Sequence, residues 1–285
     1  MKTVTELATN SRFVPFWRAE EGDTTFLMDN NLQTAVEKVK KCRASKVYIC
    51  ESIAYRLIRY HGLTRPETLI ACENPKLEFI KALRLSGIEK EKASEGMDIV
   101  PVSNEEHHVI IGEGCSIRNT LIGKNVTIHP NTTIGAFALA VERDHDADGM
   151  LVTFPHIGRV IIEDDVTIGS QVNISRGELE DTIIGENTVI DAHVHVAHNC
   201  KIGKRNQITA GSIFGGSITT GDDCWFGLGC TILDHVKIGN NVLVGAGATV
   251  IHDVPDKDIV AGTPAKSIKE KSSLSERKRY HYVGY

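Results

Sequence analysis

The chain has no C-x-x-C pair, no long apolar run and no excess of basic residues. Its seven cysteines are an odd number and are widely spaced, which argues against a disulfide framework or a zinc ribbon. No stretch approaches the roughly 18–20 apolar residues of a membrane span. The opening residues, MKTVTELATNSRFVPFW, lack the continuous apolar segment of a signal peptide, so a cytoplasmic location is expected. Lys and Arg number 32 against 37 Asp and Glu, a net charge of −5. No global basic field therefore points to nucleic acid as the main partner.

What the sequence does have is a strict period of six. Ile184, Ile190, Val196, Ile202, Ile208, Phe214, Thr220, Phe226, Ile232, Ile238, Val244 and Val250 stand at equal intervals, and seven of them are followed directly by Gly. A helix repeats its apolar positions every three or four residues and a simple strand every two. A period of six with Gly at the corner predicts short strands and tight bends, with one side chain per step pointing into a shared interior. The pattern extends upstream through Ile111, Ile117, Ile122, Ile128 and Ile134, and resumes at Ile162, Ile168 and Ile174 before a four-residue slip. Cys115, Cys200 and Cys224 fall where a small apolar side chain fits, and read as reduced packing thiols. The repeat resembles that of hexapeptide-repeat acyltransferases. That resemblance implies a mainly β fold, a left-handed parallel β-helix, against the usual right-handed preference for crossovers.

The organisation along the chain follows from where the hexad is present. Residues 1–105 lack it and are expected to form a small α/β domain. Leu32, Ala35, Val36 and Val39 have helical spacing, Lys46–Cys50 and Thr68–Cys72 are β-rich, and Asn74-Pro75 opens a helix through Leu85. Ser86–Val100 reads as the linker. Residues 106–256 form the β-helix, interrupted by an Asp-rich loop over 136–156. Residues 257–285 form a basic cap with a short C-terminal helical tail.

Histidines mark the candidate chemistry. In IDAHVHVAHNCKIG, residues 190–203, Val194 and Val196 alternate with His193 and His195, so the two histidines face outward. His198 lies just past a corner. A neutral imidazole accepts a proton near neutral pH. Together with IGRVII (157–162) and RGELEDTIIG (176–185), this segment resembles the UDP-3-O-acyl-glucosamine N-acyltransferases of lipid A biosynthesis. The resemblance implies a homotrimer with sites between subunits, His198 as general base, Asp191 orienting its imidazole, and Gly216 supplying an oxyanion N–H. His235 would contact substrate. The reaction implied is transfer of an acyl group from a thioester, on coenzyme A or an acyl carrier protein, to the amine of a nucleotide-linked amino sugar, with no bound cofactor.

The same resemblance reaches the N-terminal region more sparsely. EGDTTFLMDNNL, residues 21–32, matches the segment where that family holds uridine, which implies Phe26 and Asp29 as base contacts. Where the family has Phe, Asn and Tyr, this chain has Phe26, Asp29 and Leu32. The acids of the 136–156 loop, Asp144 and Asp146 among them, suit an ammonium or sugar hydroxyls. At the other end, AGTPAKSIK, residues 261–269, resembles the ending of hexapeptide enzymes that use acetyl-CoA. Lys266 and Lys269 would then meet the donor's phosphates, and an acetyl-CoA-dependent sugar-nucleotide N-acetyltransferase is an alternative reading. A further alternative is a zinc enzyme of the γ-carbonic-anhydrase kind, using His193 and His198, although its third histidine would fall at Ile157 with only His156 beside it. Asp144–Gly149 copies the first six positions of a calcium loop, but Pro155 stands where a bidentate Glu is required. Neither metal is the preferred assignment.

Overall fold

The computed structural model describes Val14 and residues 18–21, 23–28, 31–61, 69–86, 99–101 and 108–268. The chain divides into two units, one of residues 1–94, 139–157 and 178–180, the other of residues 95–138, 158–177 and 181–285.

The first unit is built on a parallel sheet of β1 (Thr24–Leu27), β2 (Lys46–Cys50) and β3 (Leu69–Cys72), paired in that order. Helix α1 (Leu32–Lys41) follows β1, α2 (Glu51–His61) follows β2 and α3 (Pro75–Leu85) follows β3. Sequence chemistry explains where two of the helices begin. Asn31 Oδ1 accepts from the Gln33 N–H at 2.9 Å, and Asn74 Oδ1 from the Leu77 N–H at 3.1 Å, satisfying donors that the first turn leaves unpaired. Lys38, Lys40 and Lys41 close α1, where the helix dipole favours cations. Ala35, Val36, Val47, Ile49, Ile53 and Leu57 form one core layer, and Tyr48, Phe79, Ile80, Leu83 and Phe154 the other.

The interruption of the hexad, expected as a loop, is in part a β-hairpin. Val141–Asp144 pairs antiparallel with Met150–Thr153, and Asp148 and Gly149 take positive φ at the turn. It groups with the first unit, where Phe154 packs 6.1 Å from the Phe79 ring. Apolar residues within it, Phe154 above all, need a core to bury them, and α3 supplies one.

The second unit is the solenoid. Three parallel faces stack coil upon coil: a first face running from Ile99–Pro101 to Lys237–Ile238, a second from Ile110–Ile111 to Ile259–Ala261, and a third from Ser116–Ile117 to Thr249–Val250. Every hexad residue from Ile184 to Val250 is buried. The expectation of one inward side chain per step is corrected, because two point inward. Val194 precedes Val196, Cys200 precedes Ile202, and Cys230 precedes Ile232 in one continuous core. The second inward position escaped the period because it tolerates small polar groups. Asn206 is the clearest case: its amide donates to the Gly221 carbonyl at 3.0 Å and to Thr220 Oγ1 at 3.2 Å, while its Oδ1 accepts from the Cys224 N–H at 2.7 Å. Saturated in this way, a buried amide avoids the desolvation penalty.

Cysteines at these positions are packing groups. Burial pushes the Cys200 thiol up to about 12 and Cys224 up to about 11, so both stay protonated and inert. The chain is described to Ile268, and Lys266–Ser267 pairs as an antiparallel strand with Ile259–Ala261. The expected helical tail beyond it lies outside the described residues.

Candidate active site

Each corner of the solenoid needs a residue with positive φ, and Asn, Asp, His or Gly usually supplies it. After Val196 on the third face, Asn199 makes the bend with φ 59°. Cys200 then turns inward, its thiol donating to the Gly215 carbonyl at 3.1 Å. His198, just before Asn199, is half-buried on the corner. One coil further on, Ser217 makes the equivalent bend with φ 60°, and its N–H donates to the His198 carbonyl at 2.8 Å. Gly216 therefore stacks on His198. A Cβ placed on Gly216 would lie 2.8 Å from both Cε1 and Nε2 of the His198 ring. Only a residue without a side chain lets the imidazole lie there, with Nε2 toward the Gly216 main chain and Nδ1 buried.

The Gly216 amide has no acceptor among the described residues, as is also true of Asp234 on the same corner and of Ala210 and Leu228 on another. Gly215 N–H donates to Ile232 O at 3.0 Å, and Gly216 O accepts from His235 N–H at 2.9 Å. At the corner that follows the first face a side chain from the next coil caps the amide: Asp222 Oδ1 takes Lys204 N–H at 2.8 Å, and Asn240 Oδ1 takes Asp222 N–H at 2.9 Å. Above Gly216 the equivalent residue is Asp234, whose carboxylate lies 3.8 Å from His235 Nε2. A base and a spare N–H thus share one corner. That pairing can take a proton from a nucleophile and stabilise an oxyanion.

The structure brings together His198, Gly216 and His235 and separates them from the other candidates. His235 (φ 61°) is two coils above Asn199 on the same corner, roughly 10 Å along the axis. Asp191 and His193 occupy the preceding corner, across the third face, on the order of 15 Å away within one chain. Asp191 Oδ1 accepts from the Ala192 N–H at 2.7 Å. His195 points outward from the third face, half-buried, and burial pushes its pKa down. Lys266 is exposed on the last described strand. Phe26 belongs to the first unit, its ring centroid 4.8 Å from that of Phe79. Asp29 and Lys269 lie outside the described residues.

Of the excursion's acids, Glu142 is 3.0 Å from Lys76 Nζ and Asp144 is 3.0 Å from Lys81 Nζ. The ammonium groups these carboxylates meet are those of α3. Asp146 stays exposed. The Lys81 ammonium holds the Asp144 carboxyl below the usual carboxylate range. A depressed folded-state pKa contributes stability above the unfolded value of about 3.9 and loses it as pH falls through the folded value. Asp144→Asn should therefore lower the melting temperature at pH 7 and leave it unchanged near pH 2, as thermal melts at the two pH values would show.

His156, the third histidine of the zinc alternative, is buried with Nδ1 at 3.0 Å from the Phe154 carbonyl. Among the described residues, no three His, Cys, Asp or Glu side chains group as metal ligands. Two residues without an assigned role also line the His198 corner. Arg176 is only 1% exposed and donates from Nε to the Gly158 carbonyl at 2.6 Å. Its guanidinium lies 5.7 Å from the centroid of the Phe137 ring, itself 56% exposed. Only the register of the coils shows them to be neighbours; the visible signal is an Arg where a corner residue is otherwise small or polar.

The bacterial transferase hexapeptide (six repeats) family matches residues 181–216 and 217–252. A UDP-3-O-acylglucosamine N-acyltransferase of Methylorubrum populi is 37% identical over 160 residues, covering 55% of this chain and 44% of that relative. Another, of a Caulobacter species, is 37% identical over 149 residues, covering 52% and 43%. The chain resembles the UDP-3-O-acylglucosamine N-acyltransferases. It spans less than half the length of these curated relatives. Among solved structures, LpxA from Acinetobacter baumannii aligns with a TM-score of 0.45 at 20% identity, over 65% of this chain and 74% of that one. No described helix is long and apolar enough to cross a membrane.

Proposed function

We propose that the chain is an N-acyltransferase, moving an acyl group from a thioester to the amine of a nucleotide-linked amino sugar in the synthesis of lipid A or a related surface glycan. The observation that carries this is the contact of His198 Nε2 with Gly216, whose N–H is left without an acceptor. The amine attacks the thioester carbonyl, and the new C–N bond forms as His198 takes the amine's proton. The carbonyl oxygen, now anionic, receives the Gly216 N–H. Collapse breaks the C–S bond, and the imidazolium returns its proton to the departing thiolate. His235, higher on the same corner, contacts substrate, and Phe26 and Asp29 are the candidates for recognising the nucleotide base. Asp146 and Asp144, the latter paired with Lys81, are further candidates for acceptor contact.

The reading includes a homotrimer and a cytoplasmic setting, with the donor carried by coenzyme A or an acyl carrier protein. Asp191 can orient His198 only if it comes from another copy, because the two stand on successive corners of one coil. Asp191→Asn should lower kcat by about 10²-fold through loss of that support. Trimers mixed from Asp191→Asn and His198→Ala chains should regain activity, since some sites would join an intact Asp191 to an intact His198. Absence of complementation in mixed trimers would remove the between-copy dyad.

The test of the activity itself is a panel of acyl thioesters on coenzyme A and on carrier protein, crossed with UDP-linked amino sugars. Transfer to the amine supports the assignment; no transfer from any thioester defeats it. Turnover restricted to acetyl-CoA would instead favour the acetyltransferase reading, which the exposed Lys266 near the chain's last described coil supports.

A further inference from the structure

The third face presents one outward side chain per coil. From below upward these are Thr133, Asn173, His195, Ile213, Thr231 and Thr249, in register from strand to strand. His195 is the one titratable group in this column, whereas the first face carries Lys201 and Lys237 at such positions. Its imidazole is half-buried and has no hydrogen-bond partner among the described residues. Because burial lowers its pKa, the neutral form with a free lone pair prevails at pH 7.

The residues beside the face show what covers it. On one coil, Leu228 stands on the corner that opens the third face and Leu233 on the corner that closes it, 59% and 49% exposed. Two coils lower, the same two corners carry Asp191 and His198. A ring of three copies that joins the opening corner of one to the closing corner of the next makes both pairings together. Rotation about an axis parallel to the solenoid keeps every coil at its own height, and head-to-tail contacts of this kind close into a ring. The three third faces then become the walls of a triangular shaft. With walls about 20 Å wide once side chains fill the joints, the axis lies on the order of 6 Å from each wall, within reach of an imidazole. Three copies of His195 meet there at one level. Three Asn173 lie below them, and above them three Ile213, each 46% exposed in the single chain.

We propose that His195 from three copies forms a site on the threefold axis for one divalent transition-metal ion, such as Zn²⁺. This rests on the homotrimer of the proposed reading, not on its acyl-transfer chemistry. Neutral imidazole nitrogen is a good ligand for zinc, copper, nickel and cobalt. Three such nitrogens supply the protein's share of a tetrahedral shell, with water in the fourth place. Each chain contributes a single ligand, so one chain alone holds no cluster and binding is linked to assembly. The ion is structural: it ties the copies together on the axis, while His198 stands at the joints between the walls.

The test uses the full, untagged chain, stripped of metal by a chelator and titrated with Co²⁺, whose visible absorption reports a tetrahedral shell. Sedimentation with and without the ion gives the size of the species titrated. Saturation is expected at one Co²⁺ per three chains, with Zn²⁺ displacing it. His195→Gln should weaken binding by about 100-fold or more, and His193→Gln, on the corner before the face, should bind as the wild type does. His195→Cys should restore binding and add a thiolate-to-cobalt band in the near ultraviolet, a signature that only direct ligation gives. Saturation at one ion per chain, or binding that survives His195→Gln, would place the metal elsewhere and overturn the proposal. A trimer that binds no Co²⁺ would overturn it too, and would leave the acyl-transfer reading standing. A chain that stays monomeric with and without Co²⁺ would remove the trimer and this site with it. Thioester turnover on the same samples separates the remaining case. One ion per three chains in a protein that transfers nothing would sink the activity and keep the axial site.

Discussion

His198→Ala should lower kcat by about 10²–10⁴-fold, with substrate affinity changed far less. The substitution removes the base but leaves the Gly216 N–H and the surrounding corner. It should not unfold the solenoid, because the core of this coil is Val194, Val196, Cys200 and Ile202, all buried, while the imidazole stands on the corner. Steady-state kinetics with a saturating thioester, beside a denaturation curve for each protein, makes the measurement. His193→Ala is the control. His193 occupies a different corner and is exposed, so its loss should cost much less. Comparable inactivation by both, with a metal lost in each, would favour zinc chemistry, and a fully active His198→Ala protein would end the assignment of His198.

Gly216→Ala should cost about 10²–10³-fold in kcat while leaving stability nearly unchanged. Gly216 is not among the glycines with positive φ, so alanine meets no backbone strain there. The new methyl would stand 2.8 Å from Cε1 and Nε2 of His198, inside van der Waals contact, and either the ring or the coil must move. If the loss comes from displacing the ring, Gly216→Ala should cost only a few-fold in a His198→Ala background, because coupled sites are not additive. Equal cost in both backgrounds would mean that the methyl obstructs the acyl oxygen. An active Gly216→Ala protein would show that the approach of Gly216 to His198 has no catalytic use.

Much of the solenoid was legible because a single constraint repeats. One residue in six must fill the same narrow interior, and Ile184 through Val250 satisfy it. In the first unit, Asn74-Pro75 announced a helix start and its capping bond is present, whereas α1 was read from apolar spacing alone and its Asn31 cap was not anticipated. Helix α2 was not anticipated, since Glu51–His61 carries a strong helical period but no cap or proline to mark its start. The hairpin of the excursion was missed for a related reason. Its strands are four residues each, too short for alternation to stand out among charged residues.

Local sequence by itself determined the six-residue period, the corner positions and the outward direction of His193 and His195, because each depends on neighbours within a few residues. It also placed His198, Gly216 and His235 on one corner, since offsets near eighteen and thirty-six correspond to whole coils. Tertiary structure alone decided three other matters: that the Asp144 carboxylate is held by Lys81, that the Gly216 N–H has no acceptor while the Lys204 and Asp222 amides after the first face are capped, and that Phe137 and Arg176 lie in line beneath the imidazole. Each depends on distances between coils or elements far apart in sequence, on an irregular register at Gly135, or on whether a neighbouring side chain turns toward an amide or away from it. No period records these, because a repeat specifies what is common to every coil, and the site is made from what differs between them.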